Sequence, residues 1–480
     1  MIVSSAFLLA VLRLGAPFTD GMVLQRGVRV PVWGEADPKT RVVVSFAGQM
    51  AEADADADGR WRVDLAPLQA SNAGRDLSVA AEVQGNDVRA QKAVVSDVLV
   101  GEVWLAAGQS NMGIPFWGES PRARDRLGGA FGQVIRRPFV RIANLDGTAA
   151  KTPQRDERVF WRKVEPTFLL SGEAKAVSTY YGLILYESLG VPIGIFCAQV
   201  GATCIETWLP EGAPTLTTQR HQNQAHQQPS RLYNGKIAPV VPYAVKGVVW
   251  YQGESNVSTN GIPLYRGQLH ALRDGLAKCF ENPGLRFYLA QLAPWGNALV
   301  PQMQEEQAKF AAEEPNAGLA VICDSGNLHD IHPNDKQIVA LRLALLALKR
   351  DYGFDIVADS PTLKAWRIEN GRFVMAFDNV REWSIYDPDW CHFSKSENTA
   401  TLGFEIAGAD GVWHPARIGN LRRFEGSDHV EYRGQIDGRE LTVWSDEVAE
   451  PKRLRYLHTR PWFGRLYNEV GLPVGPFHIN

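Results

Sequence analysis

Cysteine is scarce in this sequence of 480 residues, and its placement argues against the two structures that cysteines usually build. The chain has five cysteines: Cys197, Cys204, Cys279, Cys323 and Cys391. None of them has the C-x-x-C or cysteine–histidine spacing that binds zinc, so we expect no metal site. The odd, scattered number also argues against a disulfide-stapled domain. A single bridge is still compatible with the sequence, which leaves the redox compartment open.

A strong net charge and a long apolar run are also lacking. The formal net charge is −3, which provides no basic field to hold nucleic acid or an anionic membrane. The apolar run Ala6–Val11 is too short to span a bilayer. It fits a secretory remnant or a first β-strand equally well, because no basic residue precedes it and no clear cleavage site follows. We therefore predict no membrane span and leave the compartment undecided.

Apolar residues are plentiful enough for more than one core. Hydrophobic residues make up 45% of the chain, and its length predicts two to four compact units. In residues 1–97, β-type runs alternate with turn residues, at Val28–Trp33, Val42–Phe46, Trp61–Leu65 and Leu77–Val83. This pattern predicts a small antiparallel sandwich, with Ala51–Asp58 as a hairpin tip. We interpret most of the fourteen tryptophans as core side chains.

The pattern changes in residues 98–358, where helical patterns lie between long apolar runs. The runs are typical of strands buried on both faces of a parallel sheet, at Val98–Leu105, Gly247–Tyr251, Phe287–Leu292 and Leu319–Cys323. One helix is predicted by an apolar face with a capping residue, formed by Ile338, Leu341, Leu345, Leu348 and the cap Asn334. We predict a doubly wound α/β domain here, and a second all-β domain in residues 359–480.

A polar segment interrupts the α/β region. Thr215–Ser230 is rich in glutamine, contains His221 and His226, and has neither the helical nor the strand period. We predict a mobile loop, in which contact between these histidines and a substrate is the less favoured alternative.

The leading candidate for chemistry is a serine at the end of a predicted buried strand. The strand runs into Gly108-Gln109-Ser110, and open α/β sheets bind ligands at the carboxyl ends of their strands. Taken alone, Ser110 also fits a simple helix cap. A serine hydroxyl attacks an acyl carbon only when a base removes its proton, so the assignment depends on finding that base.

The best-placed base lies in His329-Asp330-Ile331-His332-Pro333, between a predicted buried strand and the helix that follows. His332 is the candidate base, and Asp330 is near enough in sequence to orient its imidazole. His329 is the competing base. It also fits an ordinary loop histidine.

Acyl transfer also needs donors for the oxyanion of the tetrahedral intermediate. The segment 199–203 offers the amide of Gly201, and the segment 251–256 offers the side-chain amides of Gln252 and Asn256. Polar residues after strands are common, so each segment alone is weak evidence. Their combination favours an esterase.

These residues stand in motifs that resemble the sialate O-acetylesterase family of the SGNH hydrolases. The resemblance spans most of the chain. It is carried by Met22-Val23-Leu24-Gln25, Gly108-Gln109-Ser110-Asn111-Met112, Leu232-Tyr233-Asn234-Gly235, Trp250-Tyr251-Gln252-Gly253-Glu254-Ser255-Asn256 and Asp330-Ile331-His332-Pro333. Late segments also match, at 403–409 and 466–468. Each motif is weak alone, whereas their order along the chain is specific.

The resemblance implies a fold, a reaction and roles for the residues. The fold is an SGNH-type three-layer α/β/α domain with a parallel sheet, flanked by N-terminal and C-terminal all-β domains at 1–97 and 359–480. The reaction is hydrolysis of acetyl esters on a carbohydrate, with no metal or organic cofactor. Ser110 is the implied nucleophile, His332 the base and Asp330 its orienting acid. The implied oxyanion hole comprises Ser110, Gly201 and Gln252.

Two departures from the family pattern bear on these roles. Family members often have two glycines where this chain has Gly201-Ala202, and many SGNH proteins separate the acid from the histidine by two residues rather than one. Glu254 is an alternative support for His332 or Gln252, and Asn256 is a further candidate to support the site.

Two rival functions remain open from the sequence. An acetylxylan or pectin acetylesterase can use the same machinery on another glycan. A carbohydrate-binding protein without catalysis is the rival from another class, although Ser110, His332 and Gln252 together argue against it. The sequence does not predict the sugar, the hydroxyl position or the oligomeric state.

Overall fold

A computed structural model of the protein describes residues 12–82, 91–116, 137–213, 224–333, 335–386, 402–424, 433–436, 438–458 and 463–480. The predictions for Ala6–Val11, for His221 and for Asn334 as a cap fall outside these ranges. None of the helices within them combines the length and the apolar character needed to cross a bilayer.

The first strands form antiparallel pairs, as the alternating sequence predicts, except Val23–Gln25, which pairs in parallel with residues 99–101. They are β1 (Arg13–Leu14), β2 (Val23–Gln25), β3 (Val30–Glu35), β4 (Arg41–Phe46), β5 (Gln49–Asp54), β6 (Arg60–Leu65) and β7 (Ser71–Glu82). The predicted hairpin tip at Ala51–Asp58 is wrong in its first half, which belongs to β5. Alternate residues of β5 face solvent, so a strand accommodates the acidic side chains. The chain turns at 56–59, where the Gly59 N–H donates to the Asp56 carbonyl at 3.0 Å.

The middle of the chain builds a mixed sheet around one central strand. Its strands are β8 (Gln91–Gly108), β9 (Arg137–Asn144), β10 (Trp161–Val164), β11 (Ile193–Gln199), β12 (Gly247–Tyr251), β13 (Arg286–Ala290) and β14 (Ala317–Ala320). They lie in the order β10-β9-β11-β8-β12-β13-β14. All neighbours are parallel except the edge pair β10–β9. Strands β11 and β12 follow one another along the chain and lie on opposite sides of β8. This reversal of strand order creates a crevice at the carboxyl end of β8.

Helices pack in pairs beside this sheet. The α-helices are α1 (Ser110–Gly113), α2 (Pro166–Leu170), α3 (Ala176–Leu189), α4 (Ile262–Cys279), α5 (Val300–Glu313) and α6 (Lys336–Tyr352). Helix α3 packs on α6, and α4 packs on α5. Gly190 and Gly353 end α3 and α6 in the left-handed conformation, at φ of 65° and 74°, which glycine adopts without steric cost.

The structure corrects the predicted face of α6. Leu341 is 37% exposed, whereas the side chains turned inward include Val339, Leu343 and Ala347. Lys336 and Arg342 are also buried on this helix. Because charged residues lie on its inward face, the spacing of the leucines alone does not identify the side that packs against the core. In the described part of the chain, the side chain that caps the helix is Asp335, which accepts the Ile338 N–H at 3.1 Å.

The last third of the chain forms three four-stranded antiparallel sheets. Its strands are β15 (Thr362–Glu369), β16 (Arg372–Asp378), β17 (Trp383–Tyr386), β18 (Phe404–Ala407), β19 (Trp413–Pro415), β20 (Arg417–Ile418), β21 (Leu421–Phe424), β22 (Arg433–Ile436), β23 (Leu441–Trp444), β24 (Arg453–Tyr456), β25 (Leu466–Asn468) and β26 (Phe477–Ile479). Strands thus return after the α/β region, while an all-β domain at 359–480 stays a prediction.

Two clusters of buried apolar side chains support these sheets. One runs from Ala16 to Ala358, and the other joins the end of β14 to the last third of the chain. Strand β8 crosses the predicted boundary at residue 97: its first half pairs with β7, and its second half pairs with β11 and β12. The first strands and the mixed sheet therefore share one core.

Candidate active site

The predicted site residues follow the carboxyl ends of parallel strands in the mixed sheet. Ser110 follows β8, Gly201 follows β11, and Gln252 follows β12. The loop that carries His332 lies between β14 and α6. Because parallel strands end at the same edge of a sheet, residues far apart in sequence meet beside β8.

The turn that presents Ser110 is shaped by a glycine. Gly108 has a φ of +151°, and a Cβ atom at this position would lie 2.1 Å from the carbonyl oxygen of Tyr251. Only glycine fits so close an approach. The next N–H, of Gln109, donates to the same Tyr251 oxygen at 3.0 Å, so β12 fixes the direction in which the chain enters α1.

The structure brings Ser110 and His332 into direct contact. The Ser110 Oγ lies 2.9 Å from the His332 Nε2, a hydrogen-bond distance that suits proton transfer from the hydroxyl to a neutral imidazole. The side chain of His329 is exposed, and the backbone N–H of His329 donates to the Asn327 Oδ1 at 2.9 Å. Of the two candidate bases, His332 is the one beside the serine.

Asp330 lies beside His332 but in solvent. Its Oδ1 accepts the backbone N–H of His332 at 2.9 Å and lies 3.3 Å from the Nδ1 of the imidazole. The Asp330 side chain is 51% exposed, so water screens the attraction between its carboxylate and an imidazolium. The contact therefore orients the loop that carries His332 more than it stabilises a positive charge on the imidazole.

The Gly201 loop approaches the serine closely. A Cβ atom on Gly201 would lie 3.5 Å from the Ser110 Cβ. The next residue, Ala202, has a φ of 57°, a left-handed conformation that favours glycine.

The side chain of Gln227 holds this loop in place. It accepts the Cys204 N–H at 3.0 Å and donates to the Ala202 carbonyl. Residues 225–227 form a 3-10 turn. The predicted mobile loop is therefore wrong for its described end, because Gln227 anchors that end to the Gly201 loop.

Gln252 lies beneath the site rather than in its opening. Its side chain is buried, and its Nε2 donates to the Thr203 carbonyl and to the Asn256 Oδ1, both at 2.8 Å. Its Oε1 accepts the Tyr265 hydroxyl at 2.9 Å. Asn256 is also buried and donates to Glu206 at 3.0 Å. Both amides therefore brace the loops that carry Gly201 and Gln252.

A buried polar chain fixes the two residues that flank His332. The Asn111 Nδ2 donates to the Ile331 carbonyl at 3.1 Å and to Glu254. The Lys336 Nζ donates to the Pro333 carbonyl and to the Asn111 Oδ1, both at 2.7 Å. The backbone on either side of the imidazole is thus tied to the turn that carries Ser110.

Glu254 is the acidic side chain of this buried polar chain. Burial raises the pKa of its carboxyl group above the ordinary value, while the Asn111 hydrogen bond and the Lys336 charge oppose the rise. Because a buried charge is costly unless it is paired and hydrogen-bonded, Asn111, the backbone N–H of Glu254 and Lys336 all favour an ionised Glu254.

Comparisons with known proteins show the family to which this chain belongs. A family model described as a carbohydrate esterase, sialic acid-specific acetylesterase, matches residues 166–341. The crystal structure of a novel carbohydrate acetylesterase from Xanthomonas citri is 32% identical, covers 98% of this chain and 100% of its own, and superposes with a TM-score of 0.81. This chain belongs to the sialate O-acetylesterase family. Family relatives named sialate O-acetylesterase, from Pongo abelii and Homo sapiens, are each 28% identical and align with 71% of this chain and 71% of their own.

Three residues of the site escape sequence reasoning. Asn111 stands in a quoted family motif but offers no reactive group, and Lys336 opens a helix whose charges are expected to face solvent. Gln227 lies in a segment whose sequence has neither helical nor strand periodicity. The one available signal is the short spacing of Lys336 from His332, which places Lys336 in the first turn of the helix that follows the His332 loop.

Proposed function

We propose that this family member, a carboxylic ester hydrolase, removes O-acetyl groups from carbohydrates with Ser110 as nucleophile and His332 as general base. The observation that carries the proposal is the 2.9 Å contact between the Ser110 Oγ and the His332 Nε2 at the carboxyl end of β8. A non-catalytic carbohydrate-binding protein has no need of such a contact.

The reaction has two halves. In the first, the His332 Nε2 takes the Ser110 proton while Oγ bonds to the acetyl carbon, and the tetrahedral intermediate then expels the sugar oxygen, which receives that proton. In the second, His332 takes a proton from water, whose oxygen attacks the acetyl carbon of the acetyl-serine. Collapse of this intermediate returns the proton to the Ser110 Oγ and releases acetate.

The oxyanion donors that we propose are backbone amides. The N–H groups of Ser110 and Gly201 are the candidates, and the close approach of Gly201 to Ser110 supports this assignment. Gln252 remains a third candidate, although donation to the oxyanion requires it to release Thr203 or Asn256. Asp330 orients His332, while Glu254 and Asn256 act through the loops that they brace.

The substrate that we propose is an O-acetylated sialic acid. The family model and the names of the curated relatives support this choice over acetylated xylan or pectin. We further propose an SGNH-type three-layer α/β/α domain at 98–358 between all-β domains at 1–97 and 359–480. In this division β8 runs from the first domain into the central one, and the two domains share a core. The order of the mixed sheet supports the central domain.

Acetate release from three substrates tests the proposed function. Wild-type protein should act on O-acetylated sialic acid with a higher kcat/KM than on acetylated xylan or acetylated pectin. Ser110→Ala should lose at least ~10³-fold on every substrate that the wild type cleaves and should keep its fold by circular dichroism. Faster cleavage of xylan or pectin would support the rival substrate, and release of acetate from none of the three would contradict the esterase itself.

A further inference from the structure

A second cluster of reactive side chains lies outside the esterase site. Glu305 on α5 faces His458, just after β24, and His478 on β26. The Glu305 Oε2 lies 2.9 Å from the His458 Nε2 and 3.0 Å from the His478 Nδ1. All three donor atoms lie within 4.8 Å of one another. The cluster joins a helix beside the mixed sheet to the last antiparallel sheet.

Other histidine–glutamate contacts in the described part of the chain differ from this one. His270 lies 3.1 Å from Glu313, and His414 lies 2.9 Å from Glu447. Each of these is a pair, with one imidazole for one carboxylate. At Glu305 a second imidazole is added, and the two rings lie with their centroids 4.9 Å apart. One carboxylate with two imidazoles is a ligand set that zinc sites use.

The surroundings of the cluster suit a bound cation with an open position. The side chains of Glu305, His458 and His478 are 16%, 18% and 29% exposed, so they are partly ordered by burial and still reachable from solvent. Lys309 lies 3.6 Å from the Glu305 carboxylate, but it also holds Glu306 at 3.0 Å and is half-exposed. Its ammonium can move away when a cation binds.

We propose that Glu305, His458 and His478 form a binding site for a divalent transition metal of the zinc type, with water as the fourth ligand. Bonds of about 2.0–2.2 Å in a tetrahedron place the donor atoms about 3.3 Å apart. The two glutamate–histidine distances therefore need to grow by only a few tenths of an ångström. Each histidine must bind through the nitrogen that now faces Glu305, so any proton on that nitrogen leaves to the other ring nitrogen or to solvent.

The metal would link α5 to the last sheet. Because the ligands come from residue 305 and from residues 458 and 478, the bound cation would close a long stretch of chain and stabilise the folded state by mass action. The site goes beyond the proposed esterase, whose steps do not pass through it.

Cobalt and zinc titrations of the untagged, chelator-treated full chain test the site. We expect one equivalent of Co²⁺ to give the strong visible absorption of tetrahedral coordination. We expect Zn²⁺ to displace it and to raise the melting temperature by roughly 3 °C at a hundredfold excess over Kd. Glu305→Gln, His458→Gln and His478→Gln should each weaken binding by more than ~100-fold, since even groups behind metal ligands contribute 10–100-fold.

His414→Gln is the matched control, because it removes a histidine from a pair of similar geometry that has no third ligand among the described residues. It should leave the cobalt spectrum and the affinity unchanged. The proposal is overturned if no metal binds, if the cobalt spectrum is octahedral and weak, or if binding survives the three substitutions. Esterase assays on the same samples keep the two proposals separate, since loss of metal should leave acetate release at 25 °C unchanged.

Discussion

At the scale of single residues, the site is held together by backbone contacts more than by a buried catalytic acid. Asp330 meets His332 from the solvent side, whereas Asn111 and Lys336 bind the carbonyl groups on either side of His332 from within the protein. We infer that precise placement of the imidazole contributes more to the reaction rate than the screened charge of Asp330 does, because small displacements of reacting groups slow catalysis strongly.

The solvent exposure of Asp330 leads to the first prediction. Asp330→Asn should lower kcat/KM by only about tenfold, against the ~10⁴-fold loss when a buried triad aspartate becomes asparagine. The asparagine oxygen can still accept the His332 N–H. Steady-state kinetics on an acetyl ester measures the effect. A loss of a thousandfold or more would show that the aspartate charge is central to the reaction.

The second prediction concerns Lys336. Lys336→Met should lower kcat by on the order of 10²-fold with little change in KM, because the His332 loop loses its contact at Pro333. Lys349→Met is the control on the same helix, where Lys349 makes only a partly exposed contact with Asp359. If both variants lose stability and neither loses kcat at 25 °C, Lys336 does not position the base.

At the scale of elements, helix α6 shows that a local sequence pattern can predict a helix and still misplace its buried face. The sequence predicts a helix here, and the structure contains one, because apolar residues recur at steps of three and four. The predicted face is rotated, because Lys336 and Arg342 turn inward to meet partners that come from other parts of the chain. Sequence pattern cannot supply those partners, so it assigns the charges to solvent.

Arg342 makes the clearest test of this buried polar face. Its guanidinium binds the Asp324 carboxylate through two contacts, at 2.6 and 2.7 Å, and both side chains are buried. Arg342→Met should lower the free energy of unfolding by about 3–5 kcal/mol, because it leaves the aspartate charge buried without its main partner.

Denaturant unfolding checks this value. Arg350→Met, on the same helix, removes a partly exposed ion pair with Asp359 and a hydrogen bond to the Ala317 carbonyl. It should cost no more than about 2 kcal/mol. Equal losses for the two variants would contradict the difference in burial. A partial recovery in the double variant Arg342→Met, Asp324→Leu would confirm that the unpaired charge is the cause.

At the scale of the whole molecule, the sequence predicts the order of the parts better than their boundaries. Turn-rich strands, an α/β region and a second set of strands follow in the predicted order. The expected break at residue 97 falls inside β8, because one long strand serves two sets of neighbours. The candidate metal ligands Glu305, His458 and His478 are separated by long stretches of chain, so no spacing motif reveals them.

A surface ion pair between the first strands and the α/β region leads to a prediction about pH. Arg62 on β6 binds Glu281, just after α4, through two contacts at 2.6 and 2.7 Å. The Arg62 hydrogen bond holds the pKa of the Glu281 carboxyl below its ordinary value. A lowered pKa contributes stability that is present above the unfolded-state value and is lost as the pH falls through the folded-state value.

Glu281→Gln should therefore destabilise the protein slightly at pH 7 and have less effect at pH 3, so the melting temperature of the variant should fall less on acidification. Thermal melts at both pH values measure the difference. Glu369→Gln is the control, since its partner Arg367 lies on the same strand. If acidification lowers the melting temperature of Glu281→Gln as much as that of the wild type, the Arg62–Glu281 pair adds no pH-dependent stability.

Acid quenching during turnover of an acetyl ester, followed by peptide mass spectrometry, tests the central claim most directly. The account predicts one acetyl group on the peptide that contains Ser110, present during turnover and absent once the substrate is exhausted. In Ser110→Ala, no acetylated peptide should form and acetate release should stop. A transient acetyl group on another residue, or normal acetate release by Ser110→Ala, would contradict the assignment of Ser110 as nucleophile.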